Sequence, residues 1–311
     1  MPEAVCCVCR ERLTPPFKTI DGRLYCDRHY ATVNKPHGGF WRAGIVQIIG
    51  MGVLSAVIAV LAGYLPPLDQ AGSMMAGILL AVIPTALWVV YFYRQDQLEP
   101  EPKTRIAEVL LLALLLTAAI GLPLIGLFRL ADWANTNQFV SLLAYILIGG
   151  FTYETIKYFA VRLVVYATPE FDERMDGIVY GSIAGLGVAS LLGLHHVIDN
   201  QGVALAPGII YAVTTALAQA SFGGVMGYFM SQAKFEHRPV WWIPVGVSLA
   251  ALLDGVYSWL VGEVSMVGLT VDPWRSLLLG LAVALVTFLI LIALMQRAMN
   301  IDMKQPSVPE S

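Results

Sequence analysis

From residue 43 onward the chain is dominated by long, unbroken apolar runs rather than by short stripes of alternating polarity. A helix rises about 1.5 Å per residue, so about 20 apolar residues span a hydrocarbon core of about 30 Å. Eight runs approach that length, beginning at Ala43, Met74, Ile106, Phe139, Gly177, Ala204, Val240 and Arg275. The linkers between them are short, which predicts one all-α bundle of about eight transmembrane helices over residues 43–297. The fifth run carries Gly177, Gly181, Gly185, Ala189 and Gly193 at every fourth position, a stripe that lets a neighbouring backbone approach closely. Asp176 stands just before that stripe, near a predicted helix N-terminus where a carboxylate is favoured. The last stretch, 298–311, is polar and Pro-containing, and is expected to be a disordered tail.

Composition agrees with a bilayer habitat. Hydrophobic residues make up 57% and charged residues 13%, against about 45–50% and about 25% in soluble domains. The net charge of −3 leaves no basic surplus, so nucleic acid is not an expected partner. Lys and Arg collect before the first run and after the second, fourth, sixth and eighth, while "PPLDQAGS" and "DNQG" carry none. By the positive-inside rule both termini are cytoplasmic, with the plasma (inner) membrane as the expected host. The first apolar run follows a charged stretch, so no cleavable signal peptide is expected.

Three places depart from the apolar pattern. In "GGFTYETIKYFAVRLVVY", Glu154 and Lys157 share one helix face, although each charge costs about 2.5–3.5 kcal/mol at the centre of a membrane helix. They either neutralise one another or belong to a site. Asp254, in "LLDGVYSWL", has no partner on its own helix and must find one across the bundle. His195 and His196 close the fifth run just before "DNQG", as wet interfacial rings or as members of a site.

All four cysteines precede the bundle, in "CCVCRERLTPPFKTIDGRLYCDRHY". Cys6 with Cys9 and Cys26 with His29 form C-x2-C and C-x2-H pairs, a spacing that suits four-coordinate zinc. Asp21–Gly22 reads as a tight turn between two short strands, and Leu13, Phe17 and Tyr25 as a minimal core. A unit this small needs a metal or disulfides to fold. Disulfides are the alternative, disfavoured on the cytoplasmic side. Residues 1–35 are therefore expected to form a zinc knuckle, with 36–42 as linker and Cys7 left over. The segment resembles the second zinc module of a LIM domain, which suggests that it recruits a cytosolic protein.

Taken in order, "DQLEPEP" (Asp96–Pro102), the Glu154-x-x-Lys157 helix and "FDERMDGIVYGSIAGLG" resemble the PrsW family of intramembrane proteases, related to the type II CAAX prenyl endopeptidases. The likeness covers roughly residues 75–260. It implies hydrolysis of a peptide bond in or near the bilayer by a buried acid and histidines, acting on a membrane-protein substrate. Tyr153, Leu192, Gly193, Gln219 and Asp254 stand where the family pattern expects Glu, Glu, Asn, His and His. On this resemblance Glu154, His196 and Asp254 are the candidate catalytic residues, with Lys157, Gln219 and His195 auxiliary and a metal at that site an open question. The alternative is a catalytically inactive pseudoprotease, kept as a binding or regulatory scaffold whose knuckle recruits a partner. No G-x-S-x-G motif and no cysteine lies in the membrane part, so nucleophilic serine or cysteine chemistry finds no support.

Overall fold

The computed structural model describes residues 4–9, 11–20, 23–34, 39–64, 68–95, 101–199, 202, 205–236, 238–239, 241–267 and 273–302. The expected Asp21–Gly22 turn, most of the Glu-Pro loop (96–100) and the tail from 303 lie outside these residues. A two-stranded hairpin, β1 (Lys18–Ile20) and β2 (Arg23–Tyr25), pairs Lys18 with Tyr25 and Ile20 with Arg23. It leads into the short helix α1 (Asp27–Val33).

The rest is helical. The long helices are α2 (Gly39–Ala62), α3 (Gln70–Tyr93), α4 (Lys103–Leu116), α8 (Phe151–Val164), α9 (Arg174–Asp199), α10 (Leu205–Phe235), α11 (Trp242–Val267) and α12 (Pro273–Asp302). Shorter pieces, α5 (Leu122–Leu127), α6 (Leu130–Ala134) and α7 (Gln138–Ala144), lie between α4 and α8. Among the described residues seven helical segments are long and apolar enough to cross a membrane, and α12 contributes an eighth, shorter apolar stretch, Leu285–Ile301. The protein is an all-α, polytopic integral membrane bundle.

Two helices form its axis. In the crossing window of α9, 83% of residues are buried, and in that of α10 94%, against 17% for α2. Small residues explain why these two can sit at the centre. A Cβ at Gly177, Gly181 or Gly185 would collide with the carbonyl oxygen of Gly227, Gly223 or Gln219 respectively, so the two backbones touch. With lipid tails as apolar as the side chains, such close packing is what holds membrane helices together. Gly193 continues the stripe but meets Ala81 of α3 instead. Asp176 serves as expected at the start of α9, its Oδ2 accepting from the backbone N–H groups of Asp172 (2.7 Å) and Glu173 (2.6 Å).

The same device joins α11 to the residues just before α8. A Cβ at Gly150 would strike the carbonyl of Ala251, and one at Gly255 the backbone of Ile146. A π-helical turn, Tyr145–Gly150, runs directly into α8. Such turns shift the register of a helix and are frequent at functional sites. Here the turn precedes Glu154 by one helical turn and seats α8 against α11.

The N-terminal module rests on the bundle. Arg23 of β2 pairs with Asp172 (2.8 Å) and with Glu173, in the segment leading into α9. Tyr25 is 2% exposed and is the buried aromatic of the module, whereas Phe17, expected beside it, is 44% exposed. The reason is size: so small a unit encloses one ring beneath its ligands and leaves the next outside.

Candidate functional site

Two clusters hold the chemistry-bearing residues. In the N-terminal module, Cys6, Cys9, Cys26 and His29 bring their ligand atoms within 4.8 Å of one another, a group that could hold a metal ion. The Cys26 and Cys6 sulfurs lie 3.2 and 3.6 Å from His29 Nδ1, and Cys9 Sγ lies 3.9 Å from Cys26 Sγ. That last distance is nearly twice a disulfide bond of about 2.05 Å, which removes the disulfide alternative for this pair. Burial works against ionisation of Cys6, but backbone N–H groups of Cys9, Cys26 and Val8 and the His29 ring outweigh it, lowering its pKa to about 6. A thiolate is the form that ligates metals. Cys7 stands outside the group.

The second cluster lies inside the bundle, where α8, α10 and α11 meet. Glu154, Lys157 and Asp254 are each wholly enclosed and Gln219 is 1% exposed. Lys157 Nζ donates to Glu154 Oε1 and lies 3.9 Å from Asp254 Oδ2. Gln219 Nε2 donates to Asp254 Oδ1 (2.8 Å), as does Ser258 Oγ (3.2 Å). The Phe222 ring, 5.7 Å from Lys157 Nζ, closes one side. The Glu154 and Asp254 carboxyl groups are close enough to share a proton, and Gln219 Oε1 has no hydrogen-bond partner.

Sequence reasoning named four of these residues, and the fold brings all four together. Ser258 and Phe222 were missed. Ser258 follows Asp254 by one helical turn and was findable from that spacing; Phe222 carried no signal. The two histidines make other contacts. His195 pairs with Asp199 (2.7 Å) on an exposed surface, and His196 stacks on Tyr211 with centroids 4.3 Å apart. His196 does not join Glu154 and Asp254 in a metal-sized group. At the end of the bundle near Arg23, Tyr180 donates to the buried Glu101 (2.6 Å), so the described end of the Glu-Pro loop is anchored to α9.

A bundle of membrane-crossing helices that buries two acids and an ammonium where three of them converge defines an integral membrane protein with a polar centre at bilayer depth. Comparison with known proteins places it more closely. The signature of the PrsW family intramembrane metalloprotease matches residues 105–295, and the chain belongs to that family. It is 28% identical to Protease PrsW of Bacillus subtilis (strain 168) over 201 residues, covering 62% of this chain and 85% of that one. It is 31% identical to Protease PrsW of Geobacillus kaustophilus (strain HTA426) over 189 residues, covering 60% and 80%. No solved structure matches the chain. The matched region includes the buried centre and excludes the Cys/His module.

The family name implies a metal, and the two clusters answer that differently. The N-terminal group offers three sulfurs and an imidazole. The membrane centre offers two carboxylates and an amide, without an imidazole among the named partners, and an ammonium already bonds one carboxylate and lies within ion-pair reach of the other. That ammonium would oppose a divalent ion about 4 Å away by about 8 kcal/mol at an effective dielectric constant of about 20, against the pull of the two carboxylates. Among the described residues, the one group of three or more His, Cys, Asp or Glu with metal-sized spacing is the N-terminal one. The residues of the membrane centre do not fit a metal.

Proposed function

We propose that the chain is an intramembrane peptidase that hydrolyses a peptide bond within or beside the bilayer, with Glu154 as general base. One observation carries this reading: the buried centre sets the Glu154 carboxyl against both the Lys157 ammonium and the Asp254 carboxyl, with the Gln219 amide beside them. A water admitted to the centre can donate to the Glu154 carboxyl and to the free Gln219 Oε1. In the reaction Glu154 takes a proton from that water as its oxygen attacks the peptide carbonyl carbon. The Lys157 ammonium stabilises the charge that develops on the carbonyl oxygen. As the tetrahedral intermediate collapses, Glu154 returns the proton to the amide nitrogen and the C–N bond breaks. Because the centre is enclosed, α8 and α11 must part to admit substrate. His195 and His196 take no role in this scheme.

The test compares membranes from cells lacking the chain, complemented with wild type, Glu154→Gln or Asp254→Asn, by mass spectrometry of new protein N-termini. The peptidase reading expects termini at or near apolar segments that only the wild type produces. The second reading, a non-catalytic scaffold, is favoured by the complete enclosure of Glu154 and by the substitutions at Tyr153, Leu192 and Gln219. Identical termini in all strains would establish it and end the peptidase reading.

For the N-terminal module the reading is a structural zinc. Tetrahedral zinc with Zn–S of about 2.3 Å and Zn–N of about 2.0–2.1 Å requires ligand separations of about 3.8 Å (S to S) and about 3.6 Å (S to N). The separations of 3.9, 3.6 and 3.2 Å support that geometry. The distribution of Lys and Arg supports cytoplasmic termini, which would expose the knuckle to a cytosolic protein partner.

A further inference from the structure

We propose that the membrane centre of this chain works without a metal, Lys157 serving as its resident cation, and that any metal the chain carries sits in the N-terminal knuckle. Three observations converge on this. The Lys157 ammonium bonds Glu154 and lies 3.9 Å from Asp254, within ion-pair reach of both acids at once. Those two acids are the centre's anionic ligands, and both are wholly enclosed with it. The remaining close partners, the Gln219 amide and the Ser258 hydroxyl, spend their protons on Asp254 Oδ1. An ammonium has no lone pair, so it cannot become a ligand, and it offsets one of the two carboxylate charges that would otherwise draw a cation in.

Chemistry at the centre is then carbonyl polarisation by an ammonium and proton transfer by a carboxylate, with no Lewis acid. The proposal stands on charge and geometry and does not depend on turnover. Failure to find cleavage would end the peptidase reading and leave this one untouched.

The experiment counts metal per chain by inductively coupled plasma mass spectrometry. Full-length protein in detergent is exposed to zinc and then desalted. The variants are Glu154→Gln, Asp254→Asn and the double variant Cys9→Ser/Cys26→Ser, each first shown to be monodisperse with its helical content intact. The expected result is about one equivalent in the wild type and in both acid variants, and under a tenth of an equivalent in the cysteine double variant. A wild type with no metal at all would equally support a metal-free centre. A near-stoichiometric metal that survives loss of the cysteines and disappears when Asp254→Asn is added would overturn the proposal. Since the double variant removes only ligands outside the bundle, misfolding of the knuckle does not blur the count.

Discussion

The N-terminal knuckle and the membrane centre both gather polar side chains into a few ångströms, yet they are opposite in kind. The knuckle converges three sulfurs and one imidazole with no cationic side chain among the four. The centre converges two carboxylates with a lysine that already bonds one and faces the other. Ligand-type residues in proximity therefore do not by themselves make a metal site. What decides is whether the cluster supplies its own positive charge. The knuckle lies outside the bilayer-crossing helices, where an ion can arrive from water. The centre lies inside a helix bundle, where importing a charge costs several kcal/mol even after relaxation.

This contrast can be broken in several places. The largest effect belongs to metal removal. A structural zinc contributes about 10–16 kcal/mol of apparent binding free energy in small zinc modules, so a strong chelator should unfold the knuckle and make residues 4–34 protease-sensitive. The bundle should keep its helical circular dichroism; its collapse on chelation would refute the separation of the two clusters. Next in size is Lys157→Met, which strands two enclosed carboxylates. A loss of about 3–5 kcal/mol is expected, measured as a shift of the unfolding midpoint in detergent. Adding Glu154→Gln should recover part of it, and no recovery would mean that Lys157 acts by packing alone.

A third change leaves both clusters chemically intact. Gly150→Val places methyl groups against the Ala251 carbonyl, and overpacking of this sort costs about 1–3 kcal/mol. It should push α8 from α11, lowering bundle stability without altering the metal count; unchanged stability would show that the close approach is not needed. The smallest effect is expected for Asp172→Asn, at the edge of the Arg23 contact. With Asp172 half exposed, the loss should be under about 1 kcal/mol, read as a slight rise in proteolysis of the knuckle. A larger effect would mean that the module is clamped to the bundle more firmly than a surface ion pair allows.

Much of this was legible in the chain. The eight apolar runs correspond to the long helices, because in a bilayer each span must satisfy its own backbone hydrogen bonds and the helix does so locally. The glycine stripe of α9 was readable as a contact face for the same reason: period four is a property of one helix. Glu154 and Lys157 were readable as a pair, since three residues separate them. Cys6, Cys9, Cys26 and His29 were readable as a group because two short-range pairs carry the pattern. What could not be read was which helix meets which. The family pattern put Asp254 in one site with Glu154, but no local spacing indicated that Asp254, 97 residues beyond Lys157, would face its ammonium, or that His196 would stack on Tyr211. Nor did it show Arg23 meeting Asp172 and Glu173.

The sequence by itself thus determined the membrane class, the helices, the four-ligand knuckle and the local acid–ammonium pair, all features set by composition or by spacing within one element. Tertiary structure alone decided how Gln219 and Asp254, grouped with Glu154 beforehand only by family resemblance, meet the acid–ammonium pair, that Ser258 joins them, and that His196 lies against Tyr211. Those choices depend on the crossing of α8, α10 and α11. Where α11 meets the turn before α8, that crossing is fixed by Gly150 and Gly255 lying against the backbones of Ala251 and Ile146, a steric fit between distant segments that no local pattern encodes.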